Sequence, residues 1–207
     1  MNDPGDTVEA LLTLAKTGHA SALGQLLERY RNYLELLARI QIGRRLQSKV
    51  DATDLVQETF LDAHATFAQF RGATEKELVG WLRQVLAYNL ATLMRHYYGV
   101  QRRDVELEWQ LSLDLDQSSQ ALDAAFVAPI SSPSQQAARR EQAVILADAL
   151  GRLPPEYREV VILRQLQGLT FPEVAKQMNR SLDSVKKLFV RGLARLRGVL
   201  GDKHESA

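Results

Sequence analysis

The sequence of 207 residues contains no cysteine, which excludes disulfide bonds and thiolate metal sites. Its histidines are few and scattered, and no spaced set of metal ligands or glycine-rich phosphate loop accompanies them. They stand at His19, His64, His96 and His204. These absences predict a protein that is not an enzyme, with no catalytic residues, no metal site and no cofactor. The lack of cysteine also makes the cytoplasm the expected compartment.

Long apolar runs are missing as well, since no stretch approaches the roughly 20 residues that a membrane span needs. The opening residues, MNDPGDTVEALL, lack the basic and apolar regions of a secretory signal. We therefore expect no membrane partner. Net charge is only +1, but it is unevenly distributed, because residues 104–128 hold six acids and no lysine or arginine. The excess of positive charge lies in the C-terminal helices.

The stretch Leu169–Leu200 has the pattern of a helix-turn-helix. Thr170 and Glu173 form a capping box at the start of its first helix. Asn179 occupies the end of that helix, where a residue that tolerates left-handed dihedral angles is favoured. Ser181 can then cap the second helix. In such a motif the second helix lies in the major groove of DNA.

The second helix has an apolar side and a basic side. At about 100° per residue, one stripe comprises Leu182, Val185, Phe189, Leu193, Leu196 and Leu200. The opposite face carries Ser184, Lys187, Arg191 and Arg195, with Lys186 beside them. Between Arg180 and Leu200 there are six basic residues against a single acid, Asp183. The pattern indicates DNA binding; the alternative is an ordinary amphipathic hairpin with a solvated basic face.

A second informative stretch, DATDLVQETFLDAHATFAQF, starts at Asp51, which can cap a helix. Its core stripe comprises Val56, Phe60, Ala63 and Phe67. The other face is acidic and surrounds an outward leucine, with Asp51, Asp54, Gln57, Glu58, Leu61 and Asp62. Two interpretations stay open: a solvated face, or a docking surface for a basic partner protein with Leu61 as an apolar anchor.

A loop over Arg71–Thr74 precedes a predicted helix from about Glu75 to Tyr98. One side of that helix interleaves aromatic, polar and cationic residues, namely Trp81, Gln84, Tyr88, Arg95 and Tyr98. Such a surface suits single-stranded nucleic acid, because exposed bases stack on rings while cations hold phosphates. The alternative is that these aromatic residues pack against a neighbouring helix. Asn89 falls near the apolar face, where it is either a contact or a buried hydrogen-bonding residue.

The remaining pattern predicts an all-α fold with two small helical domains joined by an acidic linker, the C-terminal domain being a helix-turn-helix. A short helix capped by Asp6 or Thr7 ends at Gly18, after a loose tail over residues 1–6. One further helical region runs from about His19 to Leu46. Residues 99–132 lose periodicity and are interpreted as a linker. Two helices follow, one capped by Ser132 with Pro133 at its first position and ending near Leu150, the other over Glu156–Gln167. The predicted domain limits are 1–103, 104–132 and 133–207.

Three segments, in this order and spacing, resemble the sigma-70 family of bacterial sigma factors, in its small extracytoplasmic-function (ECF) subgroup. DATDLVQETFLDA resembles region 2.2, and WLRQVLAYNLATLMRH resembles regions 2.3 and 2.4. The segment that begins LPPEYREVVILRQLQGLTFPEV resembles region 4. The resemblance covers about residues 18–102 and 135–199.

The resemblance implies a sigma factor that binds core RNA polymerase and directs promoter recognition, DNA melting and transcription initiation. It places contacts with the clamp of the largest catalytic subunit at Asp51, Asp54, Gln57, Glu58 and Leu61. It places contacts with the −10 element at Phe70, Arg71, Trp81, Gln84, Tyr88, Asn89 and Arg95. It places contacts with the −35 element at Arg180, Ser184, Lys186, Lys187 and Arg191.

The implied partners are core RNA polymerase, through its clamp and flap region, and promoter DNA in double-stranded and melted form. An anti-sigma factor is a further partner that the resemblance leaves open. The alternative function is a stand-alone helix-turn-helix transcription regulator that acts without docking to polymerase.

Overall fold

The computed structural model describes residues 7–45, 50–98, 105–124 and 133–204. Within these ranges the regular structure is helical throughout, which confirms the predicted all-α fold class. The chain divides into two compact units, Met1–Gln117 and Ser118–Ala207. The predicted tail over residues 1–6 lies outside the described residues, and the predicted domain limits stay predictions. No helix among the described residues is both long and apolar enough to span a bilayer.

Helices α1 to α5 form the body of the first unit. They are α1 (Val8–Lys16), α2 (Ala20–Arg29), α3 (Arg31–Arg45), α4 (Ala52–Thr66) and α5 (Glu75–Tyr98). Thr7 caps α1, accepting a hydrogen bond from the Ala10 N–H at 3.3 Å. Gly18 follows α1 with a φ of +92°, a conformation that glycine adopts without steric cost. The expected start and end of this first helix are therefore confirmed.

The single helical region expected from His19 to Leu46 is wrong, because the chain breaks at Tyr30 between α2 and α3. Tyr30 is fully buried, and its hydroxyl donates to Glu75 Oε1 at 2.7 Å. Burial, followed by the Glu75 carboxylate, raises the pKa of Tyr30, so the hydroxyl remains a donor at neutral pH. Leu26 and Leu34 are buried on either side of the break, which is why the apolar periodicity continues through it.

Helix α4 packs against α3 and α5 through the stripe expected from its sequence. The residues of that stripe, Val56, Phe60, Ala63 and Phe67, are all buried. A single 3-10 turn, Phe67–Gln69, continues α4 and leads into the loop before α5. The bounds of α5 agree with those expected from the sequence, and its inward residues Leu78, Leu82 and Leu86 are fully buried.

The acidic segment departs from expectation. It was expected to lack periodicity, but Val105–Ala124 forms a helix, α6. Leu111 and Leu115, one helical turn apart, have no exposed surface. Other apolar residues of the segment, Trp109 and Leu113, are exposed. Apolar residues therefore fall on both the buried and the exposed side, and the sequence shows no clear helical stripe. Residues 99–104 and 125–132 of the predicted linker lie outside the described residues.

The second unit contains the helix-turn-helix. Its elements are α7 (Pro133–Gly151), α8 (Pro155–Val161), a π-helical turn (Ile162–Leu166), α9 (Phe171–Gln177) and α10 (Leu182–His204). The helix expected over Glu156–Gln167 thus widens into a π-helical turn after Val161. Gly151 is the last residue of α7, and the predicted Ser132 cap lies outside the described residues. Helix α10 packs closely on α8 at Gly192, where an added Cβ would lie 3.2 Å from the Tyr157 carbonyl oxygen.

Candidate docking and nucleic-acid surfaces

The outward face of α4 presents every residue that the sequence assigned to protein docking. Asp51, Asp54, Gln57 and Glu58 are exposed, and the side chain of Leu61 protrudes with 64% of its surface accessible. A leucine that is exposed to this degree and surrounded by carboxylates can serve as an apolar anchor for a partner with basic residues. The role of this face in binding stays a prediction.

Asp51 also has a structural role. The Thr53 N–H donates to Asp51 Oδ1 at 2.9 Å, which satisfies one of the unpaired donors at the start of α4. This hydrogen bond holds the pKa of the Asp51 carboxyl below its ordinary range. The expected cap is therefore confirmed. Asp51 also contributes negative charge to the α4 face, in a position that its hydrogen bond to the Thr53 N–H holds.

Phe70 and Trp81 belong to one aromatic cluster at the end of α4 and the start of α5. Their ring centroids are 5.1 Å apart, and Phe67 completes the cluster at 5.8 Å from Phe70 and 6.0 Å from Trp81. Lys16 Nζ lies 5.7 Å from the centroid of the Phe70 ring. Phe70 and Trp81 are only half-buried, so the cluster packs in the protein and still presents ring surface to solvent.

The loop between these two aromatic residues is held by Glu77. The N–H groups of Ala73 and Thr74 donate to Glu77 Oε2 at 2.9 and 3.0 Å, and the Thr74 hydroxyl donates at 2.8 Å. These bonds, the one from Ala73 first, lower the pKa of Glu77. At Gly72 a Cβ would meet Phe70 Cζ at 2.4 Å and Glu77 Cβ at 2.6 Å, so a larger residue there would displace Phe70 or Glu77. The loop is consequently preorganised.

A pocket of about 440 Å³ opens beside this loop. It is lined by apolar atoms of Phe67, Phe70 and neighbouring residues, and by nitrogen-bearing side chains of Lys16, His19, His64 and Arg71. The sequence pattern did not single out Lys16, His19 or His64. The lining comes from two segments, residues 15–23 and 64–71, which are far apart in the sequence, so only the folded structure reveals the grouping.

The residues assigned to DNA on α5 lie in different environments. Gln84 is exposed, and Tyr88 exposes 45% of its surface. Asn89 is only 6% exposed, with Nδ2 donating to Thr59 Oγ1 at 3.5 Å, which is the buried position that the sequence left open. Arg95 lies with its Nη1 3.4 Å from Glu108 Oε1 of α6. The structure therefore leaves Gln84 and Tyr88 accessible and places Asn89 in the core.

The start of the helix-turn-helix is formed as its sequence predicted. The Thr170 N–H donates to Glu173 Oε2 at 2.7 Å in a capping box. Asn179 has a φ of +51°, in the left-handed region. The Ser184 N–H donates to Ser181 Oγ at 3.2 Å, which caps α10. These local interactions fix the angle at which α10 leaves the turn.

The outward face of α10 presents the cations that the sequence assigned to base and phosphate contacts. Lys186, Lys187 and Arg191 are exposed, and Ser184 is half-exposed beside them. Two of the assigned cations have acidic partners. Lys187 Nζ lies 2.7 Å from Asp183 Oδ2, and Arg180, in the turn, pairs with Glu156 of α8. Both pairs are solvent-exposed, so DNA phosphates can replace the carboxylates at little cost.

Among the described residues, no group of three His, Asp or Glu side chains could hold a metal ion. What the two units offer is a set of surfaces: an acidic face on α4, a partly aromatic face on α5 with its preceding loop, and a basic face on α10. Each suits binding to a macromolecule.

Comparison with known proteins finds similarity to one family model, to curated relatives and to solved structures. A family model described as "Sigma-70, region 4" matches residues 143–196, which include α8, α9 and the basic face of α10. The "ECF RNA polymerase sigma-E factor" of Haemophilus influenzae is 26% identical over 185 residues, covering 89% of this chain and 90% of that protein. The "ECF RNA polymerase sigma factor BldN" of Streptomyces coelicolor is 27% identical over 192 residues, covering 93% of this chain and 65% of that protein. The solved structure titled "Structure of CnrH in complex with the cytosolic domain of CnrY" is 24% identical, with a TM-score of 0.34, and covers 95% of this chain and 99% of that one.

Proposed function

We propose that this chain, which belongs to the ECF subgroup of the sigma-70 family, binds core RNA polymerase and directs it to promoters with −10 and −35 elements. The chain has no active site of its own in this proposal. It acts in the cytoplasm by binding energy alone, docking on polymerase and presenting two DNA-binding surfaces.

One observation carries the proposal. The exposed basic face of α10 lies inside the segment that matches region 4, while relatives named as RNA polymerase sigma factors align with 89% and 93% of the chain. A protein that contained only a DNA-reading head would resemble such relatives over that head alone. The acidic face of α4 gives the rest of the chain a surface for the polymerase.

Docking on polymerase is assigned to α4. The carboxylates of Asp54 and Glu58 supply charge complementarity to a basic partner, which chiefly increases the association rate. Leu61 supplies apolar surface, because a side chain that is 64% exposed loses that contact with water when a partner covers it. The clamp of the largest polymerase subunit is the proposed partner for this face.

Capture of melted −10 DNA is assigned to the aromatic cluster and to Tyr88. Each base that stacks on a ring contributes about 1–3 kcal/mol, which offsets part of the cost of unstacking a duplex. Phe70 and Trp81 are already held against each other, so little conformational entropy is lost when a base binds there. Arg71, an exposed residue that lines the pocket beside this cluster, is available to a phosphate.

Reading of the −35 element is assigned to Arg180, Ser184, Lys186, Lys187 and Arg191. Lysine and arginine at the start of a recognition helix reach guanine edges and phosphates, and each good base contact contributes about 1–3 kcal/mol of discrimination. Polymerase binding presents this helix to the duplex, so a strong affinity of the free protein for DNA is not required.

The test separates the two binding roles. Lys187→Ala and Arg191→Ala should weaken −35-dependent transcription by polymerase while leaving association with core polymerase unchanged in a pull-down. Asp54→Arg combined with Glu58→Arg should abolish that association. Lys176→Ala, which removes an exposed charge from α9, and Glu9→Arg on α1 serve as matched controls. Loss of core binding in the α10 variants, or normal core binding by the α4 variant, contradicts the assignment.

A gel shift of promoter DNA with this protein, with and without core polymerase, distinguishes a sigma factor from the alternative, a stand-alone regulator. Sequence-specific duplex binding by the free protein that polymerase does not alter would favour it. Start-site sequencing of transcripts made by reconstituted polymerase on genomic DNA then identifies the promoters.

A further inference from the structure

The part of α6 that lies in the first unit is held by polar contacts and by an apolar anchor. Arg83 Nε donates to Asp116 Oδ1 at 2.8 Å, and Gln41 Nε2 donates to the Asp114 carbonyl oxygen at 3.2 Å. Leu111, one turn before these contacts, and Leu115, between them, are fully buried. The acidic segment is therefore not a free tether over this length, since burial of two leucines favours the docked position.

A further ion pair connects the start of α6 with the end of α5. Arg95 Nη1 lies 3.4 Å from Glu108 Oε1, and the two side chains are only 15% and 19% exposed. At about 100° per residue, Arg95 shares one face of α5 with Trp81, Gln84 and Tyr88. Arg95 Nη2 also donates to Thr92 Oγ1 of the same helix at 2.7 Å. The carboxylate of Glu108 thus forms an ion pair with a cation of the surface that we assign to melted DNA.

The direction of α6 explains how Glu108 comes to lie beside Arg95. Arg83 near the start of α5 pairs with Asp116, and Arg95 near the end of α5 pairs with Glu108, so α6 runs antiparallel to α5. The Arg83 pair and the leucines anchor the helix, and Glu108 lies beyond that anchor, toward the end of the α5 face that carries Arg95. Low exposure makes this pair less screened by salt than a fully exposed one.

We propose that α6 competes with nucleic acid for Arg95: in the free protein Glu108 occupies the guanidinium, and a phosphate of melted DNA takes the place of this carboxylate during promoter opening. Glu108 approaches the guanidinium through one oxygen at 3.4 Å, whereas a phosphate can offer it two acceptors at hydrogen-bond distance, so exchange of the carboxylate for a phosphate is favourable. This inference rests on the proposed function, because it concerns the control of the −10 surface. Its consequence is that the free protein binds single strands weakly until α6 is displaced.

The first experiment measures binding of the free, full-length protein to a fluorescein-labelled single-stranded 20-mer of mixed sequence by anisotropy. Glu108→Gln should tighten binding by about fivefold, the factor that corresponds to the upper end of surface ion pairs. The dependence of log K on log salt should steepen by about 0.7, the value for one additional phosphate contact on a single strand. Glu106→Gln, on the same helix and with the same change in charge, is the matched control.

A second variant tests the competition in the opposite direction. Because the chain has no cysteine, Arg83→Cys with Asp116→Cys introduces two unique thiols, and a cleavable bis-maleimide joins α6 to α5. The linked protein should bind the same oligonucleotide at least about fivefold more weakly than the same variant capped with N-ethylmaleimide, and cleavage of the linker should restore binding.

Equal affinities of the Glu108→Gln and Glu106→Gln proteins would overturn the proposal, since that result reflects net charge alone. Equal affinities of the linked and capped proteins would overturn it as well. Start-site sequencing with wild-type protein and core polymerase is run in parallel. If it yields no polymerase-dependent transcripts, the proposed function fails, whereas the oligonucleotide comparison still decides whether α6 competes for Arg95.

Discussion

The rings of Phe70 and Trp81 lie 5.1 Å apart at an interplanar angle of 36°, which joins the loop after α4 to the first turns of α5. Both residues were assigned to DNA from the sequence, and both also pack against Phe67, a core residue. A residue with two such roles affects stability and DNA capture together. Tyr88, by contrast, is 45% exposed on the same helix face.

This difference predicts distinct effects for two alanine substitutions. Trp81→Ala should lower the free energy of unfolding by about 2 kcal/mol, less than for a fully buried tryptophan. Tyr88→Ala should change it by less than about 0.5 kcal/mol. Both should reduce open-complex formation, by about 1–3 kcal/mol for each base stack lost. Urea unfolding and permanganate footprinting of promoter complexes measure the two quantities. A Tyr88→Ala protein that melts DNA normally would remove Tyr88 from the −10 surface.

The loop glycine gives a prediction with an internal control. Gly72→Ala should destabilise the protein by about 1–3 kcal/mol, because the new methyl group displaces Phe70 or Glu77. Gly80→Ala, inside α5 with no atom within 4 Å of the added Cβ, should instead stabilise it by about 0.5–1 kcal/mol. Thermal unfolding of both variants checks the signs. An unchanged or increased stability of the Gly72→Ala protein would mean that the loop does not hold Phe70 in this position.

Asn89 is predicted to stabilise the folded protein and not to contact DNA. Its side chain is buried and contacts Thr59, so Asn89→Ala should cost about 1 kcal/mol of stability, as for the loss of a typical hydrogen bond. Gln84→Ala, at an exposed position of the same helix, should leave stability unchanged and weaken binding to melted DNA. Urea titration and oligonucleotide anisotropy separate these effects. A stable Asn89→Ala protein with impaired DNA capture would favour the direct contact.

The hydrogen bonds that Glu77 accepts predict a pH dependence of stability. The pKa of Glu77 is lowered in the folded protein, so the contribution of its carboxylate is complete above the ordinary value of 4.5 and is lost as pH falls through the lowered value. The difference in Tm between wild type and Glu77→Gln should therefore be constant near neutral pH and shrink below about 4.5. Glu58→Gln on α4 removes the same charge at a different site and serves as the control. A difference that persists unchanged at pH 3 would contradict this account.

Most helix boundaries could be predicted from interactions between residues that are close together in the sequence. The caps at Thr7, Asp51, Thr170 and Ser181 and the left-handed Asn179 depend on residues within a few positions of one another, and each is formed as expected. The bounds of α5 follow from a long, regular apolar stripe. A sequence contains such features in full because the interacting groups are neighbours along the chain.

Features that depend on distant residues could not be found in this way. At the break, the Tyr30 hydroxyl donates to Glu75, 45 residues along the chain. Helix α6 contacts Arg83 of α5 and Gln41 of α3. An apolar stripe that passes through a break looks continuous, and apolar residues interspersed with acids without helical spacing look like a linker. At the candidate site, the sequence places Arg95 on one face of α5 with Trp81, Gln84 and Tyr88, but it could not show the ion pair between Arg95 and Glu108.

Gly192 has a mechanical consequence for the second unit. Because an added Cβ would lie 3.2 Å from both Tyr157 O and Val161 Cγ2, α10 rests on α8 at a point without a side chain. A change in the distance between the two helices at this point would tilt α10 relative to α8. Ser184 lies eight residues away, about 12 Å along the helix axis, so a tilt of about 5° at this point would move it by about 1 Å. A methyl group at residue 192 would thus change the distance between the start of α10 and bound DNA, although residue 192 itself is not among the residues assigned to base contacts.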